Sequence, residues 1–372
     1  MAPLIKAVTA HSALEPWVVV TGQHREMLDQ VHEVFEIRPD VDLNLMQANQ
    51  TLGDFTVRAL SGIQAQLVEA RPAAVVVQGD TTSTLAAALA AFYSQVPVVH
   101  LEAGLRSGDK TSPYPEEMNR RLVSQLGDLH LAPTPGNRDL LLFEGIDPGH
   151  IVVTGNTEID ALMLTVTRGA PYVDRELDRA LTLARASRQR IATVTTHRRE
   201  SWGDPMRATN RALGRLAMQF PDVLWVVPVH RNPRVRADLL PGLVRFQNIL
   251  LIEPLSYPDF CRLLSESVLV LTDSGGVQEE APSLGVPVLV LRDTTERPEA
   301  VSHGAAALVG TDEEAVVAGA SRLLSDPVAH ASMAHAVNPY GDGRAAERAV
   351  AAIANLLGVG QRLPDFSPLA PG

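Results

Sequence analysis

Acidic side chains follow apolar segments of this sequence, at places where buried strands would end. Asp80 follows an apolar run after Gln78 and Gly79, Glu102 lies two residues after His100, and Glu116 belongs to the next such loop. Three carboxylates that converge on one site can have separated pKa values and act as general acid and base. Asp80 could instead simply cap the helix that follows it.

A glycine-containing turn in the second half of the chain has the features of a diphosphate site. Ser274, Gly275 and Gly276 follow an apolar run and open a helical segment, and glycine lets the backbone approach an anion closely. Glu280 falls in the first turns of that helix, where its carboxylate could accept hydrogen bonds from ribose hydroxyls. His197, which two arginines follow, could face a phosphate leaving group. The plainer alternatives are an ordinary strand-to-helix turn and a solvated helix start.

The composition limits the class of protein and of partner. The 372 residues are 45% hydrophobic and 20% charged, which is typical of a globular protein with about two domains. The formal charge of −11 and the lack of a dense basic tract argue against a nucleic-acid or anionic-membrane surface. No apolar run reaches about 18 residues and no signal-peptide pattern opens the sequence, so we expect a cytoplasmic protein.

Neither a disulfide nor a metal site is expected. Cys261 is the single cysteine, and its helical context predicts a small core residue. His100 and Glu102 lie two residues apart, but the sequence has no His-Glu-x-x-His helix and no cysteine pair.

Short runs rich in Val, Ile and Leu alternate with Ala- and Leu-rich helical segments, which predicts parallel sheets in α/β layers. The predicted strands are 17–21, 73–78, 96–101, 129–132, 151–154, 191–195, 224–228, 249–253, 268–272 and 286–291. The polar clusters follow the carboxyl ends of these strands, where doubly wound sheets bind ligands. We expect an N-terminal domain of residues 1–168, a C-terminal domain of 169–343, and a helical segment 344–372 that rejoins the first.

Six motifs carry a family resemblance. They are Thr21-Gly22-Gln23-His24-Arg25-Glu26-Met27, Gln78-Gly79-Asp80-Thr81-Thr82-Ser83-Thr84, His100-Leu101-Glu102-Ala103-Gly104-Leu105-Arg106, Pro115-Glu116-Glu117-Met118-Asn119-Arg120, Thr196-His197-Arg198-Arg199-Glu200-Ser201 and Asp273-Ser274-Gly275-Gly276-Val277-Gln278-Glu279-Glu280. In order, spacing and letters they closely resemble the non-hydrolysing bacterial UDP-N-acetylglucosamine 2-epimerases. The resemblance implies a GT-B-like fold of two Rossmann-like domains facing a central cleft that holds the nucleotide sugar. It also implies a homodimer without a cofactor.

The resemblance also implies an activity and roles for individual residues. The family interconverts UDP-GlcNAc and UDP-ManNAc through loss of the C2 proton and of UDP, giving 2-acetamidoglucal, followed by re-addition of UDP. The implied roles are acid/base and sugar-positioning chemistry for Asp80, Glu102 and Glu116, orientation of Glu116 by Arg120, diphosphate contact for His197, a diphosphate cradle for Ser274, Gly275 and Gly276, ribose binding for Glu280, uracil stacking for Phe260 and further substrate binding for Arg297. Gln23, His24 and Arg106 match residues that some relatives use around a second, activating UDP-GlcNAc.

The start of the sequence departs from the family pattern. The family opens with a strand and a Gly-Thr-Arg-Pro-Glu loop ahead of the segment that begins here with Met1-Ala2-Pro3. The resemblance therefore implies a gap in the middle of the first sheet and the loss of an Arg and a Lys near the substrate. A start codon placed too late, a fragment that begins late, or a divergent protein that fills the gap otherwise would each explain it.

Three other functions remain open from the sequence. A hydrolysing epimerase would release ManNAc and UDP because water captures the intermediate. A glycosyltransferase on the same fold would need an acceptor site and leaves the carboxylate set unexplained. A UDP-sugar-binding protein could keep the diphosphate site and have lost catalysis together with its first strand.

Overall fold

The computed structural model describes residues 1–23, 25–47, 49–198, 201–295 and 297–368. The strands are β1 Val19–Val20, β2 Val41–Asp42, β3 Val75–Gln78, β4 Val98–Leu101, β5 Leu129–Ala132, β6 Ile151–Val153, β7 Arg190–Thr195, β8 Val223–Pro228, β9 Ile249–Ile252, β10 Leu269–Thr272, β11 Val288–Val290 and β12 Ala306–Leu308. All ten predicted strands are present, and the short β2 and β12 were not predicted.

The helices are α1 Ala2–Thr9, α2 Arg25–Phe35, α3 Leu52–Ala70, α4 Thr82–Tyr93, α5 Glu116–Leu126, α6 Pro135–Phe143, α7 Thr157–Arg168, α8 Arg175–Ala186, α9 Asp204–Gln219, α10 Pro233–Leu243, α11 Tyr257–Glu266, α12 Val277–Ser283, α13 Pro298–Ser302, α14 Glu313–Ser325, α15 Pro327–Ala334 and α16 Ala345–Leu356. The chain forms two compact units, one of residues 1–161 with 340–367 and one that contains residues 162–339. No described helix is long and apolar enough to cross a membrane.

The first unit holds two parallel sheets instead of one. Strands β3 to β6 pair in sequence order, whereas β1 pairs with β2 in a separate two-stranded sheet. Among the described strands of this unit, the β1-β2 pair has no hydrogen-bonded pairing with the β3-β4-β5-β6 group.

Helices cover both faces of the four-stranded sheet. On β4, Val98 packs with residues of α3, α4 and α5, while the next residue, Val99, packs with residues of α1 and α16. Successive side chains of a strand point to opposite faces, so a strand covered on both sides must be apolar throughout. The last long helix, α16, also joins this unit through Asp160, whose carboxylate accepts hydrogen bonds from the backbone of Ala345 and Ala346.

The second unit contains one six-stranded parallel sheet in the order β12-β11-β10-β7-β8-β9. Its core lies on both faces, with Trp225 among residues of α9, α10 and α14, and Val226 among residues of α8 and α11. Cys261 on α11 is fully buried, as predicted for a core residue. The strand order reverses between β7 and β10, and ligands of doubly wound sheets bind at such a switch point.

Candidate active site

Asp80 is held by two hydrogen bonds from α5. The turn begins at Gly79, whose φ of +69° favours glycine. Arg120 Nη2 donates to Asp80 Oδ2 at 2.5 Å, and Asn119 Nδ2 donates to the Asp80 carbonyl at 2.9 Å. The cap of α4 is Thr81, whose hydroxyl accepts a hydrogen bond from the helix backbone. The capping alternative for Asp80 is therefore wrong, and the Asp80 side chain remains about one quarter exposed, at 24%.

Glu102 lies next to this turn, at the end of the neighbouring strand. Gln78 Nε2 donates to Glu102 Oε2 at 3.3 Å, and a Cβ placed on Gly79 would lie 3.6 Å from the same oxygen. The backbone of Glu102 has φ +65°. This left-handed conformation is costly for a residue with a Cβ, and strained residues of this kind cluster at functional sites. The structure thus brings Glu102 and the Asp80 turn together.

A buried histidine forms a hydrogen bond to the turn that begins at Gly79. His100 Nε2 donates to the Gly79 carbonyl at 2.9 Å. His130, on the adjacent strand, lies directly opposite with a ring-centroid distance of 6.4 Å. Burial lowers the pKa of His100 to about 3 and that of His130 to about 4, so both imidazoles are neutral near pH 7. The family motif that contains both His100 and Glu102 drew attention to Glu102 and left His100 without a role.

Glu116 begins α5, one helical turn before Arg120. The expectation that Arg120 orients Glu116 is not what the structure shows. Arg120 donates to Asp80, and its Nη1 lies 3.4 Å from Glu117 Oε2. Glu117 is fully buried and also accepts from the backbone of Ser107. Arg120 therefore links the turn after β3 to the first turn of α5. Glu116 lies on this same helix, which holds Asp80 through Arg120.

The three residues expected around a second nucleotide sugar have different surroundings. Gln23 Oε1 accepts from Ser83 on the first turn of α4 at 2.7 Å. His24 lies outside the described residues. Arg106 donates from Nε and Nη2 to Glu144 at 2.8 and 2.6 Å, and its side chain is only 5% exposed. In this structure the guanidinium of Arg106 forms an ion pair with Glu144, and its contact with a second nucleotide sugar stays a prediction.

In the second unit, His197 and the Ser274 turn meet at the switch point of the sheet. His197 follows β7 and Asp273 follows β10, the two strands between which the order reverses. The His197 Nδ1 atom lies 3.1 Å from Asp273 Oδ1, and the backbone N–H groups of His197 and Arg198 donate to Asp273 Oδ2 at 2.9 and 3.0 Å. Asp273 stood in the sequence motif, but only this contact shows its connection to His197.

A cavity of about 550 Å³ opens at this switch point. Its lining residues are His197, Arg198, Trp202, His230, Asn232, Ser274, Gly275, Gly276 and Arg297. The cavity therefore combines two arginines and two histidines with the glycine turn before α12. This combination suits a diphosphate. His230 and Asn232 belong to a polar cluster that follows a predicted strand, but sequence analysis assigned them no individual role, and it missed Trp202. Within the described residues, no group of three or more His, Cys, Asp or Glu side chains could hold a metal ion.

Carboxylates of α12 lie beside this cavity. Arg297 Nε donates to the buried Glu279 Oε1 at 2.5 Å. Glu280 is also buried, and its burial, together with the charge of Glu279, raises its pKa to about 7 against an opposing hydrogen bond from Tyr257. Phe260 lies partly buried on the helix that Tyr257 begins, outside the residues that line the cavity. The Tyr257 contact could not be found from the sequence.

Comparison with known proteins identifies the family. The sequence model of the family described as UDP-N-acetylglucosamine 2-epimerase matches residues 6–354. The UDP-N-acetylglucosamine 2-epimerases of Yersinia pestis and Bacillus subtilis are 48% and 47% identical, over 95% and 98% of this chain and 95% and 94% of their own length.

A solved structure agrees with this result. The Neisseria meningitidis UDP-GlcNAc 2-epimerase bound to UDP-GlcNAc is 42% identical, with a TM-score of 0.83 over 95% of this chain and 96% of its own. The parallel sheets and this likeness agree with the predicted α/β class and the GT-B-like fold. This chain therefore belongs to the UDP-N-acetylglucosamine 2-epimerase family.

Proposed function

We propose that this enzyme interconverts UDP-N-acetylglucosamine and UDP-N-acetylmannosamine by eliminating and re-adding UDP. The observation that carries the proposal is the pair of turns after β3 and β4, where Glu102 accepts a hydrogen bond from Gln78 and Asp80 accepts one from Arg120. Family membership over residues 6–354 and a relative solved with UDP-GlcNAc support the same reaction.

The reaction requires both proton transfer at C2 and a stabilised leaving group at C1. The C2 proton of the sugar is not next to a carbonyl, so departure of UDP from C1 must assist its removal. A carboxylate takes the proton, the C2–H electrons form the C1–C2 double bond, and the C1–O electron pair leaves with UDP. Protonation of C2 on the opposite face and attack of UDP on C1 then give the epimer. At least two acid/base groups are needed to serve both faces.

We assign Asp80, Glu102 and Glu116 of the first unit to proton transfer and sugar positioning. We assign the Ser274 turn and His197 of the second unit to binding of the diphosphate. Preorganised donors at a leaving group typically change the rate by a factor of about 10² to 10³.

Proton NMR with UDP-GlcNAc in deuterium oxide tests the proposal. We expect UDP-ManNAc to appear with deuterium at C2, without added NAD or metal. Free ManNAc with UDP would instead indicate the hydrolysing reaction, and UDP binding without exchange would indicate a binding protein. The variants Asp80→Asn and Glu102→Gln should lose exchange and keep UDP binding, because the diphosphate groups belong to the other unit.

We also propose that the chain forms a homodimer through the exposed sides of α3, α4 and α5. These three helices pack on the same face of the first unit, and they expose the apolar side chains Val57, Val68, Phe92, Tyr93 and Leu122. Exposed apolar surface of this kind is typical of protein interfaces. Sedimentation equilibrium should give a dimer, and Val68→Lys should weaken it, whereas Val173→Lys on the second unit should not.

The proposed cellular location is the cytoplasm. The chain has one cysteine, Cys261, so it can form no disulfide within the chain, which is typical of proteins from a reducing compartment. Fractionation of cells that produce the protein would test this location, since recovery in a membrane or extracellular fraction would contradict it.

A further inference from the structure

We propose that Asp273 is the positioning residue that keeps His197 protonated on both ring nitrogens while the diphosphate is bound, with Nε2 turned to the cavity. The inference rests on the proposed function, because it gives the His197–Asp273 pair a task in the departure of UDP. His197 then provides a positively charged N–H donor for the oxygen that receives the C1–O electron pair.

The first argument is the direction of the hydrogen bonds. Asp273 is fully buried, and its Oδ2 accepts both backbone N–H groups of the turn at 2.9 and 3.0 Å. The other oxygen, Oδ1, lies 3.1 Å from Nδ1 of His197. A carboxylate only accepts hydrogen bonds, so Nδ1 must carry the proton. The Nε2 atom is then the nitrogen left for a ligand, and the His197 side chain, 42% exposed, lines the cavity.

The second argument is charge. Burial by itself would raise the pKa of Asp273, but the hydrogen bond and charge of His197 and the N–H groups of the turn outweigh it, so the pKa lies below its usual value. The carboxylate is therefore ionised near neutral pH. A diphosphate oxygen can only accept a hydrogen bond, so a contact from Nε2 requires a proton there as well. An imidazolium between two anions meets both demands.

The other charged groups around the ring do not replace Asp273. His230 stacks on His197 with centroids 6.2 Å apart and provides no negative charge near neutral pH. Arg198 and Arg297 line the same cavity and favour an anionic ligand. Among the described residues, Asp273 therefore provides the buried negative charge that contacts the His197 imidazole directly.

The variant Asp273→Asn removes the negative charge of the side chain and keeps its size and shape. Its carbonyl oxygen can stay at the position that accepts the two backbone N–H groups, which puts the amide NH₂ against Nδ1. His197 would then be neutral, with a bare Nδ1 and the proton on Nε2. We expect kcat to fall about 10²-fold with a smaller change in KM, because the charge matters most while the leaving group gains charge.

Nitrogen-15 NMR of the UDP complex measures the protonation of the two His197 ring nitrogens directly. We expect both His197 nitrogens to be protonated in the unmodified enzyme, and Nδ1 to be bare in Asp273→Asn. A neutral His197 in the unmodified UDP complex would overturn the proposal. This measurement needs no turnover and no variant, so it remains decisive if Asp273→Asn does not fold or if the epimerase assay shows no activity.

A double-mutant cycle excludes a merely structural role. If Asp273 acts through His197, Asp273→Asn should lower kcat by less than about threefold in a His197→Ala background. A fall in that background as large as in the unmodified enzyme would show that Asp273 supports the turn independently of His197. Absence of exchange in the unmodified enzyme would instead refute the epimerase proposal and leave the NMR result standing.

Discussion

Replacing Glu102 by glycine is expected to give a more stable protein than replacing it by alanine. Both changes remove the carboxylate and its contact with Gln78, so these losses cancel in the comparison. The two variants differ in the Cβ atom at a position with φ +65°. The comparison therefore isolates the backbone strain at a residue that we assign to catalysis.

The magnitude follows from two opposing effects. A left-handed conformation costs a residue with a Cβ roughly 1–2 kcal/mol. Glycine loses more conformational freedom on folding, which offsets about 0.5–1 kcal/mol of the gain. The free energy of unfolding of Glu102→Gly should thus exceed that of Glu102→Ala by about 0.5–1 kcal/mol. For a unit of this size the midpoint of thermal unfolding should rise by roughly 1–4 °C.

Urea and thermal unfolding of the two variants measure this difference, and Glu116 provides a matched control. Glu116 is also assigned to catalysis and lies in the same unit, but it is the first residue of the helix α5. There glycine should be less stable than alanine by up to about 1 kcal/mol. All four variants should lose deuterium incorporation at C2, which separates the stability effect from activity.

The opposite order at Glu102 would refute the reasoning. If Glu102→Ala were as stable as Glu102→Gly, or more stable, while the Glu116 pair behaved as expected, the left-handed backbone would carry no cost. A catalytic role for Glu102 would then have to rest on its carboxylate alone.

Four further predictions concern the orientation of Asp80, the pH dependence of the stability of each unit, and ligand binding. Arg120→Met should lower kcat about 10²-fold in the C2 exchange assay, because Asp80 loses its guanidinium partner. As the pH falls below about 6.5, the first unit should lose stability, because His100, with a pKa of about 3, stays neutral when folded and gains a proton when unfolded. As the pH falls from about 7 to 4.5, the second unit should gain stability, because Glu280 binds its proton more tightly when the unit is folded. Amide hydrogen exchange, corrected for intrinsic rates, measures the stability of each unit separately and tests both pH predictions. UDP should change the tryptophan fluorescence, and Trp202→Phe should remove that change because Trp202 lines the cavity.

The strands could be predicted because their apolar runs are long enough to be distinctive. Strand β10 is buried throughout, and the next residue is the acidic Asp273. The missed strands lack this signal. Strand β2 has two residues, one of them acidic, and β12 consists of Ala306, Ala307 and Leu308, which suit a helix as well as a strand.

Which groups lie near a strand end could be predicted, but their partners could not. Parallel strands place their carboxyl ends at one edge, so position in the sequence was enough to select Asp80, Glu102 and His197. The contact between His197 and Asp273 joins residues 76 positions apart, and nothing in either motif specifies it. Such contacts depend on the register between β7 and β10, which pairs Thr195 with Thr272.

Two of the motif arginines of the first unit, Arg106 and Arg120, show why burial must decide a role that the sequence leaves open. Arg106 and Arg120 both belong to motifs that contain a candidate carboxylate, and both form ion pairs. The Arg106 guanidinium is nearly inaccessible and is bound on three sides by Glu144, Ser124 and the Leu105 carbonyl. Arg120 instead holds Asp80, whose carboxylate remains partly exposed. Loss of Arg106 should therefore affect folding first, whereas loss of Arg120 should affect the reaction first.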